Sequence, residues 1–200
     1  MEHLSKLFCS PARVKLLRWF LFNPEQVYDR DELVARARIT PNAASKELAA
    51  LARAGLIKRK TFYKAVARPG SAGSKKRKTL GYMFDPKFPY QRELTRFLVE
   101  TLSVVDADVR KRFKDVGPVK KLVLTGFFTN NTDGALDMLI VGNGLDEQGV
   151  EQAVRHIEGE CGREIRYTIF DLLEYEYRSR ARDKLIRDVF KWPHHVVIEK

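Results

Sequence analysis

The sequence predicts a two-domain chain, α+β in its first part and α/β in its second. Helices and a β-hairpin should occupy residues 1–85, a linker helix region 86–116, and an α/β domain 117–200. Three observations lead there. Helix-start signals occur three times in the first 55 residues, at Ser10-Pro11, Asp29 with Glu32, and Thr40-Pro41. A β-prone and strongly basic stretch follows. Beyond residue 117, apolar strands alternate with helical spacing in the order ββαβααβ. With 200 residues and 44% hydrophobic content, the chain can bury two small cores.

Ser10 caps a helix that has Pro11 in its first turn, and Val14, Leu16, Leu17, Phe20 and Leu21 recur at helical spacing until Asn23-Pro24. Asp29 and Glu32 then start a short helix, Asp31 to Arg36, expected to bury Leu33 and Val34. A tight turn, Ala37-Arg38-Ile39, leads to Thr40, which caps a third helix with Pro41 at its first position. Ala44, Leu48 and Leu51 line its inner face and Gly55 ends it. Two short helices joined by a brief turn form the helix-turn-helix pattern. The third helix turns Asn42, Ala43, Ser45, Lys46 and Arg53 outward. Short polar residues near the N-terminus let such a helix approach base edges, Asn42 suits bidentate pairing with adenine, and Lys46 reaches a base or a phosphate. On this helix alone an ordinary solvated face is an equal reading.

After Gly55, residues 56–66 form a basic strand, and Thr79 to Phe84 its partner. The intervening segment, from Arg68 through Lys75, Lys76, Arg77 and Lys78, reads as a long basic hairpin tip. A hairpin directly after a recognition helix is a wing, whose cations lie along a phosphate backbone or enter a minor groove. Charge supports this placement. Residues 1–80 hold 18 Lys/Arg against 6 Asp/Glu, a net of +12, whereas residues 81–200 hold 19 against 20. A one-sided excess attracts a polyanion by counterion release, so nucleic acid should meet the first domain. The candidate DNA-binding set is Thr40, Asn42, Ser45, Lys46, Arg53, Lys58, Arg59, Lys60, Lys64, Arg68, Lys75, Lys76, Arg77 and Lys78.

The segments from Leu7 to Leu17, Ile39 to Leu48 and Leu51 to Ile57 together resemble the ArsR-like winged-helix regulators over the whole first domain. The resemblance implies a winged helix-turn-helix that binds duplex DNA. Metal-sensing members use Cys or His clusters, and this stretch offers Cys9 and His3. No metal site, disulfide framework or cofactor is therefore expected, and Cys9 and Cys161 should be reduced thiols.

Asp85-Pro86-Lys87-Phe88-Pro89 breaks the pattern, and a long helix should follow with Leu94, Phe97, Leu98, Leu102 and Val105 as its apolar stripe. Its own domain or a second copy of the chain would cover that stripe. Residues 120–126 and 136–142 read as paired strands turning at Asp133-Gly134. A helix over 146–161, a strand over 164–170, helices over 171–180 and 182–190, and a strand near 195–198 complete the domain. Tyr167, Phe170, Tyr175 and Tyr177 suit core packing or a ligand pocket, and His194-His195 lacks a third metal ligand.

Gly126, Asp137 and the run Gly162 to Thr168 resemble the minimal nucleotidyltransferase (MNT-like) domains across residues 117–200. Active members carry Gly-Ser after the first strand, two carboxylates flanking one apolar residue, and a third carboxylate on a later strand, which together hold two metal ions. Here Phe127 stands for the serine, Ala135 for the first carboxylate and Asp137 for the second, while the later strand carries Arg166, Tyr167 and Thr168. The resemblance implies the fold without its catalysis, so no catalytic residue is assigned.

The expected function is thus a sequence-specific DNA-binding transcriptional regulator, with double-stranded DNA as partner. Its second domain would serve homodimerisation or the response to a small-molecule or nucleotide ligand. An active nucleotidyltransferase with nucleic acid as substrate or guide is the alternative, and an RNA-binding module a third reading. No apolar run approaches the roughly 20 residues of a spanning helix, so no membrane partner is expected, and the chain should be cytoplasmic.

Overall fold

A computed structural model describes residues 2–67, 74–101, 106–131 and 134–200 as a mixed α+β chain. Two compact units divide it, one comprising Met1–Leu98 with Gly159–Arg163, the other Val99–Glu158 with Glu164–Lys200. Among the described residues no helix is long and apolar enough to cross a membrane.

The first unit is organised around α2 (Pro11–Phe22), whose Val14, Leu16, Leu17, Trp19, Phe20 and Leu21 are all buried. A helix apolar on nearly every side belongs at the centre of a core. The Ser10 side chain accepts from the Arg13 backbone N–H at 3.3 Å, as the Ser-Pro signal requires. A short helix that capping signals do not announce, α1 (Glu2–Leu7), precedes it. Asp29 caps α3 (Arg30–Ala37), accepting from the Glu32 N–H at 2.8 Å, and Thr40 caps α4 (Pro41–Arg53), accepting from the Ala43 N–H at 3.3 Å. Between them Arg38 takes a left-handed conformation, φ 50°, which closes α3 and turns the chain. Leu33 is fully buried but Val34 only partly, since the α3 stripe is narrower than its sequence suggests.

Strands β1 (Ile57–Ala67) and β2 (Ser74–Phe84) pair antiparallel from Ile57↔Phe84 to Ala67↔Ser74. This corrects the expected long tip: Lys75 to Lys78 stand inside β2, and the tip shortens to residues 68–73, outside the described residues. Composition favoured a loop there. The ladder to β1 satisfies the backbone groups, and a ribbon wetted on its faces needs no apolar alternation. At its base the hairpin gains a third segment, because Tyr28 and Tyr82 exchange backbone hydrogen bonds at 2.9 and 2.8 Å. Gly81 is buried where a Cβ would meet the Phe62 ring and Val27 at 2.7 Å each. Gly81→Ala should therefore lower stability by about 1–3 kcal/mol through overpacking. Urea unfolding checks this through a lower midpoint at unchanged slope.

Helix α5 (Gln91–Glu100) joins the same core through Leu98, with Leu94 and Phe88 packed against it. Helix α5 ends at Glu100, short of the expected run through Val105, and α6 (Asp106–Arg112) is the next described helix. Leu102 and Val105 lie outside the described residues. Leu94 and Leu98 serve the first unit, whereas the next apolar positions, Val109 and Phe113, are buried in the second.

The second unit is a four-stranded sheet ordered β5 (Tyr167–Phe170), β4 (Met138–Gly142), β3 (Val119–Leu124), β6 (His195–Glu199). β4 and β5 are parallel and the other neighbours antiparallel. Val123, Leu139 and Val141 pack with Phe170 and with Ile186 and Val189 of α9 (Lys184–Lys191). Leu122, Met138 and Ile140 alternate to the opposite face and are buried too, so β4 is covered on both sides. Helix α7 (Glu147–Cys161) and helix α8 (Leu172–Arg180) complete the unit. β3 and β4 pair antiparallel, as expected. A 3-10 turn, Gly126–Thr129, leaves β3 and ends at Asn130, φ 56°. Gly126, at φ 55°, leaves no room for a Cβ beside Asp137. Asp133 lies outside the described residues.

Candidate nucleic-acid interface

The exposed side of α4 carries Asn42, Ser45 and Lys46, with Thr40 before it and Arg53 at its end, all exposed. Thr40 also spends its hydroxyl oxygen on the helix N-terminus. The inner side is fixed by Ala44, Leu48 and Leu51 and by Glu47, which is 3% exposed and accepts from Arg13 Nε of α2 at 2.7 Å. This charged tie sets the rotation of α4 about its axis, because a buried carboxylate must keep its partner. A glutamate falling on the apolar stripe, three residues past Ala44 and one before Leu48, was the readable signal.

The hairpin sorts its cations by face. Lys64 Nζ lies 2.5 Å from Asp29 Oδ2, and Lys58 Nζ lies 3.7 Å from Asp85 Oδ1, so both expected DNA contacts are engaged within the unit. Asp29 thus holds β1 and caps α3 at once. Burial pushes its carboxyl up, but the Lys64 and Glu32 N–H bonds prevail and hold it below its ordinary value. Arg59, Lys60, Lys76, Arg77 and Lys78 are exposed along the strands. Lys75 stands opposite Val66 in the ladder, and Arg68 lies outside the described residues. The structure therefore gathers the α4 set and the exposed strand cations in one unit, with Lys58 and Lys64 partly exposed and paired to carboxylates of that unit.

In the second unit Asp137 is fully buried. Its Oδ1 accepts from the Phe127 N–H at 2.9 Å and from Arg166 Nη2 at 2.9 Å, and its Oδ2 from the Arg166 N–H and Nε at 3.0 Å each. Burial raises the carboxyl, yet these bonds outweigh it and leave the pKa below the ordinary value. Four donors saturate a carboxylate, and no face remains for a cation. Phe127 and Arg166 supply all four of these donors. Among the described residues no group of three His, Cys, Asp or Glu gathers to hold a metal. Of the aromatic run, Phe170 and Tyr175 pack in the core, while Tyr177 is exposed. The unit also has a cleft of about 440 Å³ lined by Lys111, Arg112, Gln152 and His156 together with Asp108 and Asp115.

Both depressed carboxylates make stability depend on acid in one direction. A group whose folded pKa lies below its unfolded value stabilises fully above about pH 4 and loses that contribution as pH falls through the folded value. Thermal midpoints should therefore drop steeply below about pH 4, and less steeply in Asp137→Asn, as followed by circular dichroism.

Comparison with family models, with curated proteins and with solved structures finds no match to this chain.

Proposed function

We propose that the chain is a DNA-binding transcriptional regulator of winged helix-turn-helix type, with a nucleotidyltransferase-like second domain that does not transfer nucleotides. The observation that carries this is the juxtaposition, in one compact unit, of an exposed polar helix face and a two-stranded ribbon bearing exposed Arg59, Lys60, Lys76, Arg77 and Lys78. In this reading α4 enters the major groove with Asn42, Ser45 and Lys46 toward base edges, and the ribbon follows the flanking backbone or minor groove. The second domain serves pairing of two copies or response to a ligand. Its mixed-charge cleft beside α6 and α7 suits a small polar molecule, and the saturation of Asp137 supports the absence of transfer chemistry.

Titration of fluorescent duplex DNA with the full chain at graded salt tests the reading. Binding should weaken linearly on a double-logarithmic plot, with a slope of about −0.9 for each neutralised phosphate. Lys46→Ala and Asn42→Ala should narrow the gap between preferred and random duplexes more than they change the random one. Absence of duplex binding at low salt would sink the reading, and tighter binding to an RNA of equal length would replace it with the RNA-binding one.

A further inference from the structure

The outer face of the hairpin carries more than charge. In the β1–β2 register, Arg59↔Tyr82, Thr61↔Leu80, Tyr63↔Lys78 and Ala65↔Lys76 share one face, and Lys60, Phe62 and Lys64 point to the other. Phe62 lies against Gly81 and Val27, and Lys64 against Asp29, on that second face, while the first face enters the core only at its base, through Ile57, Phe84 and Tyr82. On the outer face Tyr63 is 69% exposed and Leu80 50% exposed. They are diagonal neighbours across the ladder, close enough for their side chains to form one apolar point. Arg59, Lys76 and Lys78 surround it, all exposed. These large apolar side chains stand exposed at mid-ribbon, and the cations around them fit a polyanion rather than a protein core or a lipid interior.

We propose that Tyr63 and Leu80 form a wedge that enters a base step of duplex DNA from the minor groove and kinks it, while Arg59, Lys76 and Lys78 clamp the phosphates on either side. The proposal rests on the DNA-binding reading above and deepens it. The choice of duplex over single strand comes from Leu80. A stacking platform for unpaired bases needs π-faces, which leucine lacks, whereas unstacking wedges are commonly aliphatic. The cations supply what the wedge spends, because a bent duplex brings more phosphate against the ribbon. Pyrimidine–purine steps unstack most readily, so the wedge would favour duplexes with TA or CA steps at the hairpin position.

The test uses the full chain and a duplex of about 30 base pairs, end-labelled for energy transfer and carrying 2-aminopurine beside a central TA step. Binding should bend the duplex by roughly 20–90° and raise the 2-aminopurine signal as the step unstacks. Tyr63→Ala with Leu80→Ala should leave the duplex bound but nearly straight and the probe dark, and Tyr63→Phe should keep the bend. Both positions are exposed, and circular dichroism checks that the variants fold. A straight complex with the parent chain, or a bend that survives the double substitution, overturns the wedge and leaves the DNA-binding reading standing. Preference for single strands with Tyr63-dependent quenching overturns it in favour of a stacking platform, and no duplex binding at all removes both.

Discussion

Replacing Asp137 by alanine should destabilise the second unit by about 2–4 kcal/mol, the cost of leaving a buried backbone donor without an acceptor together with the loss of charge-assisted hydrogen bonds. Alanine leaves the backbone N–H groups of Phe127 and Arg166 without their acceptor and strips Arg166 of its anion. Phe127 N–H is the costlier loss, since it sits in the buried 3-10 turn, whereas the Arg166 side chain is 44% exposed and can turn to water. The thermal midpoint of that transition should fall by more than about 10 °C. Asp137→Asn, which keeps two acceptor lone pairs, should lose less. A metal ligand behaves in the opposite way: removing it from an open cluster relieves repulsion and leaves stability unchanged or higher. An Asp137→Ala chain as stable as its parent would therefore return the residue to a catalytic role.

Neutralising Lys76, Arg77 and Lys78 together should weaken duplex DNA binding by roughly five hundredfold at 0.1 M salt and flatten the salt slope by nearly three. Each phosphate contact releases about 0.9 counterion, which is worth roughly a factor of eight between 1 M and 0.1 M salt, and three such factors multiply. The three cations occupy consecutive strand positions on alternating faces, so at most two can lie against one phosphate row unless the ribbon sits edge-on in a groove. The slope change therefore counts them: a fall near two marks one face in contact, and near three a ribbon inserted between backbones. Lys64→Ala supplies the contrast. Because Lys64 holds Asp29, its loss should show in stability more than in the salt slope. A triple variant that binds as tightly as the parent, at every salt concentration, would remove the ribbon from the interface.

The parts legible in the sequence are those decided by neighbours along the chain. Ser10, Asp29 and Thr40 cap their helices as read, because a side-chain acceptor two or three residues ahead of a bare N–H is a local arrangement. The ββαβααβ order of the second unit holds apart from the 3-10 turn, since each strand and helix there has its own periodicity. The hairpin's length was hidden for the opposite reason. Lys75 to Lys78 have no strand signal of their own, and their conformation comes from the ladder to residues 63–66. Lys64 was likewise an ordinary charge until Asp29, more than thirty positions away, came beside it, and the partner of Glu47, Arg13, was equally distant in the chain.

What the amino-acid order by itself determined, then, is the capped starts of α2, α3 and α4, the ββαβααβ order beyond residue 117, and a net charge of +12 confined to residues 1–80. All of these follow from local capping, side-chain periodicity and composition, which need no partner distant in the chain. Tertiary structure decided which cations remain available, which apolar side chains stay exposed on the ribbon, and that Asp137 is saturated by Phe127 and Arg166. Those outcomes depend on pairings across tens of residues, where burial removes water and the nearest donor or charge determines what a side chain is left to do.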